Sequence, residues 1–242
     1  MTPKELETKQ NAIQNRIYEI ARMNDLSKGK EGGIDAIPDG VAHCEKYLNS
    51  SPRIAWILKE PYDDFKKDGS SKGGGWRLYD GFLGEKKDWI KNTTWQRIIY
   101  TMFGLHNGKH YREMDYVRET PGMGDVMLET VILNLSKMPA GTTSNSSFAK
   151  NYEKYWASTL KEQIELYNPQ VVIFGNTFNV CWPLFVSEDS EPIRIPETGR
   201  CFINLYKNNG RILLDAYHPG IRSNVEFYVD SLIDTIKEYF PI

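Results

Sequence analysis

The sequence predicts an α/β protein with three layers, α/β/α, around a mainly parallel central sheet of about four strands. Three observations carry this. Short apolar runs such as Arg53 to Leu58 and Val171 to Phe174 lack polar alternation, as strands buried on both faces require. Amphipathic segments with three- and four-residue apolar spacing separate them. The order strand, helix, strand, helix, strand, then a strand pair and a closing helix, is that of an α/β chain.

Each element has its own warrant. Pro3 to Met23 reads as a helix, because Leu6, Ile13, Ile17, Ile20 and Ala21 recur at helical steps between charges. Gly29 to Gly33 breaks it, and Asp39 to Leu48 is expected as a second short helix capped by Asp39. Residues 1–50 therefore read as a helical extension packed on a core domain of residues 51–242. Arg53 to Leu58, after Pro52, is the first buried strand. The Gly- and Lys-rich stretch Lys59 to Asn92 has the length of a functional or mobile loop. Thr93 or Thr94 is expected to cap a helix from Trp95 to Phe103. Val126 to Leu135 reads as the second strand, and Phe148 to Tyr167 as a long amphipathic helix. That helix must stop at Asn168-Pro169, since a residue before proline leaves the helical region. Val171 to Phe174 is the third strand, and Phe178 to Phe185 opens as a helix. Cys201 to Tyr206 and Arg211 to Ala216 are strands joined by a hairpin turn at Lys207-Asn208-Asn209-Gly210. Ser223 to Phe240 closes the chain as an amphipathic helix, with Val225, Val229, Leu232, Ile233 and Ile236 on one face.

Composition narrows the function. The 242 residues suit one domain, and 40% apolar with 26% charged residues is a globular balance. No apolar run approaches the ~18–20 residues of a membrane span. The start MTPKELETKQNAIQNR has no apolar stretch of the kind a secretory signal needs. Net charge is −2, from 30 Lys and Arg against 32 Asp and Glu. That is not the basic excess of most nucleic-acid binders, so any DNA contact would come from a local patch. Cys44, Cys181 and Cys201 are odd in number and widely spaced, which excludes a complete disulfide framework and argues against a zinc or iron–sulfur centre. Reduced thiols in a cytoplasmic protein, with no metal and no cofactor, are expected.

In parallel sheets ligands bind where loops leave the carboxyl ends of the strands. Those ends carry Lys59-Glu60-Pro61-Tyr62, Asn134-Leu135-Ser136-Lys137, Gly175-Asn176 and Tyr217-His218-Pro219-Gly220. His218 can donate to an oxygen that gains charge in a transition state, or can simply brace its loop. Glu60 can orient a water or offset developing positive charge, or can be a solvated carboxylate. Asn134 ends an apolar strand, and its amide either reads a base edge or satisfies backbone groups. Tyr62 can wall a flat pocket, or can simply pack against its loop. Trp76 either packs down or stacks on a ligand. Asp63, Asp64 and Asp68, interrupted by Lys66 and Lys67, read as solvated loop charges rather than a metal site. Gly73-Gly74-Gly75 opens no helix, so it is not a phosphate loop, and a flexible loop is expected. His43, His106 and His110 have no partner spacing and read as surface or capping residues.

Taken in order, WILKEPYDD, VILNLSK, NPQVVIFGN and AYHPGIRSN resemble the motifs of the uracil-DNA glycosylase superfamily, over about residues 53 to 224. The resemblance implies that fold and an enzyme that flips a base out of the stack and hydrolyses its N-glycosidic bond. It implies Glu60 and His218 as the catalytic pair, with Glu60 placing the water and His218 stabilising charge on the base O2. Asn134 would pair with the base edge, Tyr62 would block a C5 methyl group, and Trp76 would stack on the base. Ile221 would be the wedge entering the duplex, with Arg222 on phosphate and Lys137 in a basic patch with Lys59, Lys66, Lys67, Lys72 and Arg77. The implied partner is DNA carrying uracil or a damaged base, and a monomer is expected. Four features depart from the pattern: Glu60 stands for the usual Asp, Lys59 for a neutral residue, Gly220 for Ser, and Ser187 to Thr198 is acidic. The chain is thus expected as a divergent member. The alternatives are an inactive nucleic-acid or nucleobase-binding module of the same fold, and a hydrolase of free nucleosides or nucleotides.

Overall fold

The computed structural model describes residues 1–27, 34–63, 73–85, 87–140, 148–198, 201–222 and 224–240, without the side chains of 194–198 and 201–202. Among these, α1 spans Pro3–Met23, as expected from its spacing. Thr2 and Glu5 cap its start reciprocally, with Pro3 at the first helical position, where a missing N–H costs nothing. Helix α2 covers Cys44–Asn49 and strand β1 Ile54–Leu58. The short α3 is Asp80–Leu83, and α4 is Thr93–Asn107. Strand β2 is Val131–Asn134, α5 Phe148–Asn151 and α6 Ala157–Tyr167, the last two joined by one π-helical stretch, Tyr152–Trp156. Then come β3 (Val171–Gly175), α7 (Phe178–Cys181), β4 (Ile193–Thr198), β5 (Cys201–Asn208), β6 (Arg211–Ala216) and α8 (Val225–Tyr239).

The strands form one sheet of six, in the order β2-β1-β3-β6-β5-β4. The first four are parallel, and β5 and β4 extend the sheet antiparallel beyond β6. Side-chain alternation within the buried strands feeds two cores. Ile54, Trp56 and Leu58 of β1 face a cluster holding Ile98 and Met102 of α4 and Leu232 and Ile236 of α8. Ala55 and Ile57 face a cluster holding Leu6 and Ile17 of α1 and Leu160 and Ile164 of α6. A continuous apolar run is therefore what a strand with helices on both faces needs.

Four expectations are corrected. The run from Val126 is not strand throughout: Pro121–Glu129 is a 3-10 helix closed by Thr130 Oγ1 donating to Val126 O, and β2 begins at Val131. An apolar run alone does not separate buried helix from strand. Helix α4 is capped by Asn92, whose Oδ1 accepts from Thr94 N at 2.8 Å, rather than by a threonine. The sheet has six strands among the described residues, not about four, because the hairpin strand β5 joins it and the acidic segment near residue 190 leads into a further edge strand, β4. The fourth concerns Asp39 and Lys137. Asp39 caps no helix (His43 caps α2), and Lys137 faces no solvent. Both are fully buried and form an ion pair at 2.8 Å. The Lys137 Nζ also donates to Gln163 Oε1 of α6, and Gln163 Nε2 donates to Asp39 Oδ1. Residues 37–43 run along the outer edge of β2, with Gly40 and Ile132 exchanging backbone hydrogen bonds.

This pair makes the first testable prediction. Asp39→Ala leaves a buried ammonium without its counter-charge, and equilibrium urea unfolding is expected to show a loss of about 3–5 kcal/mol. Adding Lys137→Met is expected to recover part of that loss. Wild-type stability in Asp39→Ala would refute the role given to the pair.

Candidate functional site

The carboxyl ends of β1, β2 and β6 open onto one cavity of about 250 Å³. Glu60, Pro61 and Tyr62 enter it after β1, Asn134 from the last position of β2, and His218 two residues beyond β6. The parallel register brings these ends level, since Leu58 pairs with Asn134 and β3 links β1 to β6. Trp76, Phe82, Trp89 and Trp95 supply aromatic walls from the segment between β1 and α4 and from α4 itself. Phe82 meets Trp89 and Trp95 edge to face, with centroids 4.9 and 5.3 Å away. A space this small and this aromatic suits one flat ring system rather than a larger ligand, whose pockets run to ~300–1,000 Å³.

His218 is held in one tautomer. The Gly220 N–H donates to its Nδ1 at 3.0 Å, so the proton of the neutral ring rests on Nε2. Burial chiefly, and then the positive charges of Lys59 and Arg97, push its pKa down to about 4. At neutral pH the ring is thus an uncharged N–H donor. A side chain at position 220 would place a Cβ 2.9 Å from Thr94 Oγ1, a hydroxyl that itself lines the cavity. Glycine at 220 therefore leaves room for a threonine hydroxyl brought by α4.

Asn134 is 1% exposed, and its Nδ2 has no hydrogen-bond partner among the described residues. Its backbone N–H donates to Asp39 Oδ2 at 2.6 Å, which fixes where the side chain leaves the strand. A buried donor without an acceptor costs about 1–3 kcal/mol, so this amide favours a ligand that brings one. The Trp89 Nε1 is likewise buried and unpartnered. Trp76 is aimed by Asp63, whose Oδ2 accepts from its Nε1 at 2.8 Å and from Gly74 N at 2.6 Å. Asp63 is thus a structural acceptor and not the solvated charge expected. The glycines before Trp76 form a defined turn: Gly74 has φ +84°, and a Cβ there would come within 1.7 Å of Asp35 O.

Of the residues singled out in the sequence, Glu60, Tyr62, Trp76, Asn134 and His218 meet at this cavity. Lys137 does not, because its ammonium lies in the core beside Asp39. Arg222 is exposed and Ile221 half-buried, both in the turn after His218. Arg77 is half-buried with Nη1 on Tyr79 Oη, and Lys59 lies with Nζ 5.6 Å from the Phe148 ring centre. Asp64, Lys66, Lys67, Asp68 and Lys72 lie outside the described residues. His43 caps α2, His106 pairs with Glu129 and His110 with Asp234, as befits surface residues. Cys44 and Cys181 are free thiols that burial pushes up in pKa, Cys44 to about 11. No described helix is long and apolar enough to cross a membrane. Sequence reasoning missed Arg97, Phe82, Trp89 and Trp95. The one available signal for Arg97 was a charge within the apolar run of α4.

No family model matches the chain, and no curated protein matches it.

The state of His218 is directly measurable. Its ring resonances are expected to titrate near pH 4, well below the ordinary 6.5. Between those values the unfolded chain binds a proton here that the folded chain does not, so this residue's contribution to stability rises with pH across that window and is level above it. A midpoint near 6.5 in the folded protein would refute the neutral-donor assignment.

Proposed function

We propose that this protein is a DNA glycosylase-like hydrolase that removes uracil or a related damaged base by cleaving its N-glycosidic bond. The observation that carries the reading is the convergence of Glu60, Tyr62, Trp76, Asn134 and His218, from four separate stretches of chain, on one base-sized cavity. The motif resemblance adds the order in which those stretches occur.

The chemistry follows from the side chains. A flipped base enters between the aromatic walls, paying its unstacking cost in part through ring contacts there. The Asn134 Nδ2 donates to an acceptor on the base edge, and a base presenting a donor at that point leaves both groups unsatisfied. As the bond from the sugar C1′ to the base nitrogen breaks, the electron pair moves onto the base. Neutral His218 then donates from Nε2 to the carbonyl oxygen where that charge gathers. The sugar becomes oxocarbenium-like, and the Glu60 carboxylate favours that positive charge and orients the water that adds to C1′. The water's proton leaves through Glu60 to solvent.

The test is a cleavage assay on uracil-containing single- and double-stranded oligonucleotides. Abasic product is expected, with His218→Ala and Glu60→Gln each lowering the rate by tenfold or more, of the order of 10² where one charge-stabilising donor is lost. No abasic product at stoichiometric protein would sink the hydrolase reading. Salt-sensitive binding without cleavage would then favour the inactive binding module, and base release from a free nucleoside would favour a small-molecule hydrolase.

A further inference from the structure

The turn that carries His218 is gripped by one buried cation. Arg97 is 4% exposed, and its Nη1 donates to Pro219 O at 2.9 Å and to Ile221 O, the carbonyls on either side of Gly220. Its guanidinium carbon lies 5.4 Å from the Tyr228 ring centre. The Tyr228 hydroxyl donates to Tyr217 O at 2.8 Å, one residue before the histidine. Within the turn, Ile221 N donates to His218 O and Gly220 N donates to His218 Nδ1.

We propose that Arg97 is a positioning residue: by tying both sides of Gly220 to α4, it fixes the turn and aims the His218 Nε2–H into the cavity. The inference rests on the glycosylase reading for the reaction served, but not for the geometry. The two N–H bonds of Nη1 lie in the fixed guanidinium plane and so hold the two carbonyls at set directions, which a freely rotating ammonium does less well. Its charge acts in the same sense, because a cation beside the imidazole opposes protonation. The described charged groups around His218 are Lys59 and Glu60 from the end of β1 and Arg97 from α4; β2 contributes the uncharged Asn134. Lys59 and Arg97 both disfavour the imidazolium, whereas the Glu60 carboxylate would favour it.

The experiment compares wild type with Arg97→Met and Arg97→Lys, in the whole chain. In Arg97→Met the His218 titration midpoint is expected to move up from about 4, and kcat for base release to fall about 10- to 100-fold with KM little changed. Arg97→Lys is expected to keep the low midpoint, while the Gly220 and Ile221 amides exchange faster with solvent. A folded Arg97→Met with unmoved His218 titration overturns the proposal. So does an Arg97→Lys whose amides exchange as in wild type, and this arm decides if Arg97→Met fails to fold. Wild type without base release would defeat the glycosylase reading alone, since titration and exchange read the clamp without turnover.

Discussion

The Asp39 carboxylate has no access to water, so all its hydrogen bonds must lie inside the protein. It accepts from the Lys137 ammonium, from Gln163 Nε2 and from the backbone N–H of Asn134. Each bond ties a different part of the chain. The Asn134 bond sets the end of β2, Lys137 sets the turn that follows, and Gln163 docks α6 against both. Further along α1, Gln10 bonds Val41 through both ends of its amide, and Tyr167 Oη donates to the same Gln10 oxygen. Buried polar groups of this kind are costly unless every member is satisfied. The segment before β1 is thereby fixed to the sheet edge rather than left as an appendage. Because the same carboxylate holds the backbone of Asn134, the unpartnered amide that lines the cavity depends on an ion pair on the other side of the strand end.

Near-zero net charge puts the weight on where individual cations lie. Two of the basic residues closest to the cavity in sequence or space are turned inward. Lys137 neutralises Asp39, and Arg97 holds backbone carbonyls. Arg222 remains exposed beside the His218 turn. The acidic stretch near residue 190 leads to β4, separated from β6 by β5, and none of its described side chains lines the cavity. Among the described residues, the charges of Lys59 and Arg97 thus act over short distances on the state of one histidine.

Much of this was legible beforehand, for definite reasons. The parallel strands were readable because burial on both faces removes alternation, and their ends were readable because Glu60, Asn134, Gly175-Asn176 and His218 break apolar runs. The hairpin was readable from Asn209 and Gly210, which do take positive φ, as does Asn168 where α6 ends before Pro169. Lys137 was misread because a lysine at a strand end is usually solvated, and its partner Asp39 lies 98 positions earlier. No periodicity reports a pairing that only the closed fold creates. The aromatic walls were hidden for related reasons: Phe82 and Trp89 sit in a stretch with little pattern, and the helix read from Trp95 does not tell which cavity its first aromatic will line. Asp63 was read by its neighbours as one of a solvated acidic group, although a single contact to Trp76 Nε1 gives it a fixed place.

The low basicity of His218 has a geometric cause besides its electrostatic ones. A second proton would go onto Nδ1, the atom that now accepts the Gly220 N–H. Protonation would set two donors face to face, so the turn would have to open or lose that bond. Opening it would pull against Arg97, which holds the carbonyls of Pro219 and Ile221. Burial, two neighbouring cations and a backbone donor therefore all oppose the same protonation. Keeping the ring neutral leaves the Nε2–H as a donor for whatever enters the cavity. The grip of Arg97 on the turn and the backbone donor at Nδ1 thus work in one direction, since each resists the change that a charged imidazole would need.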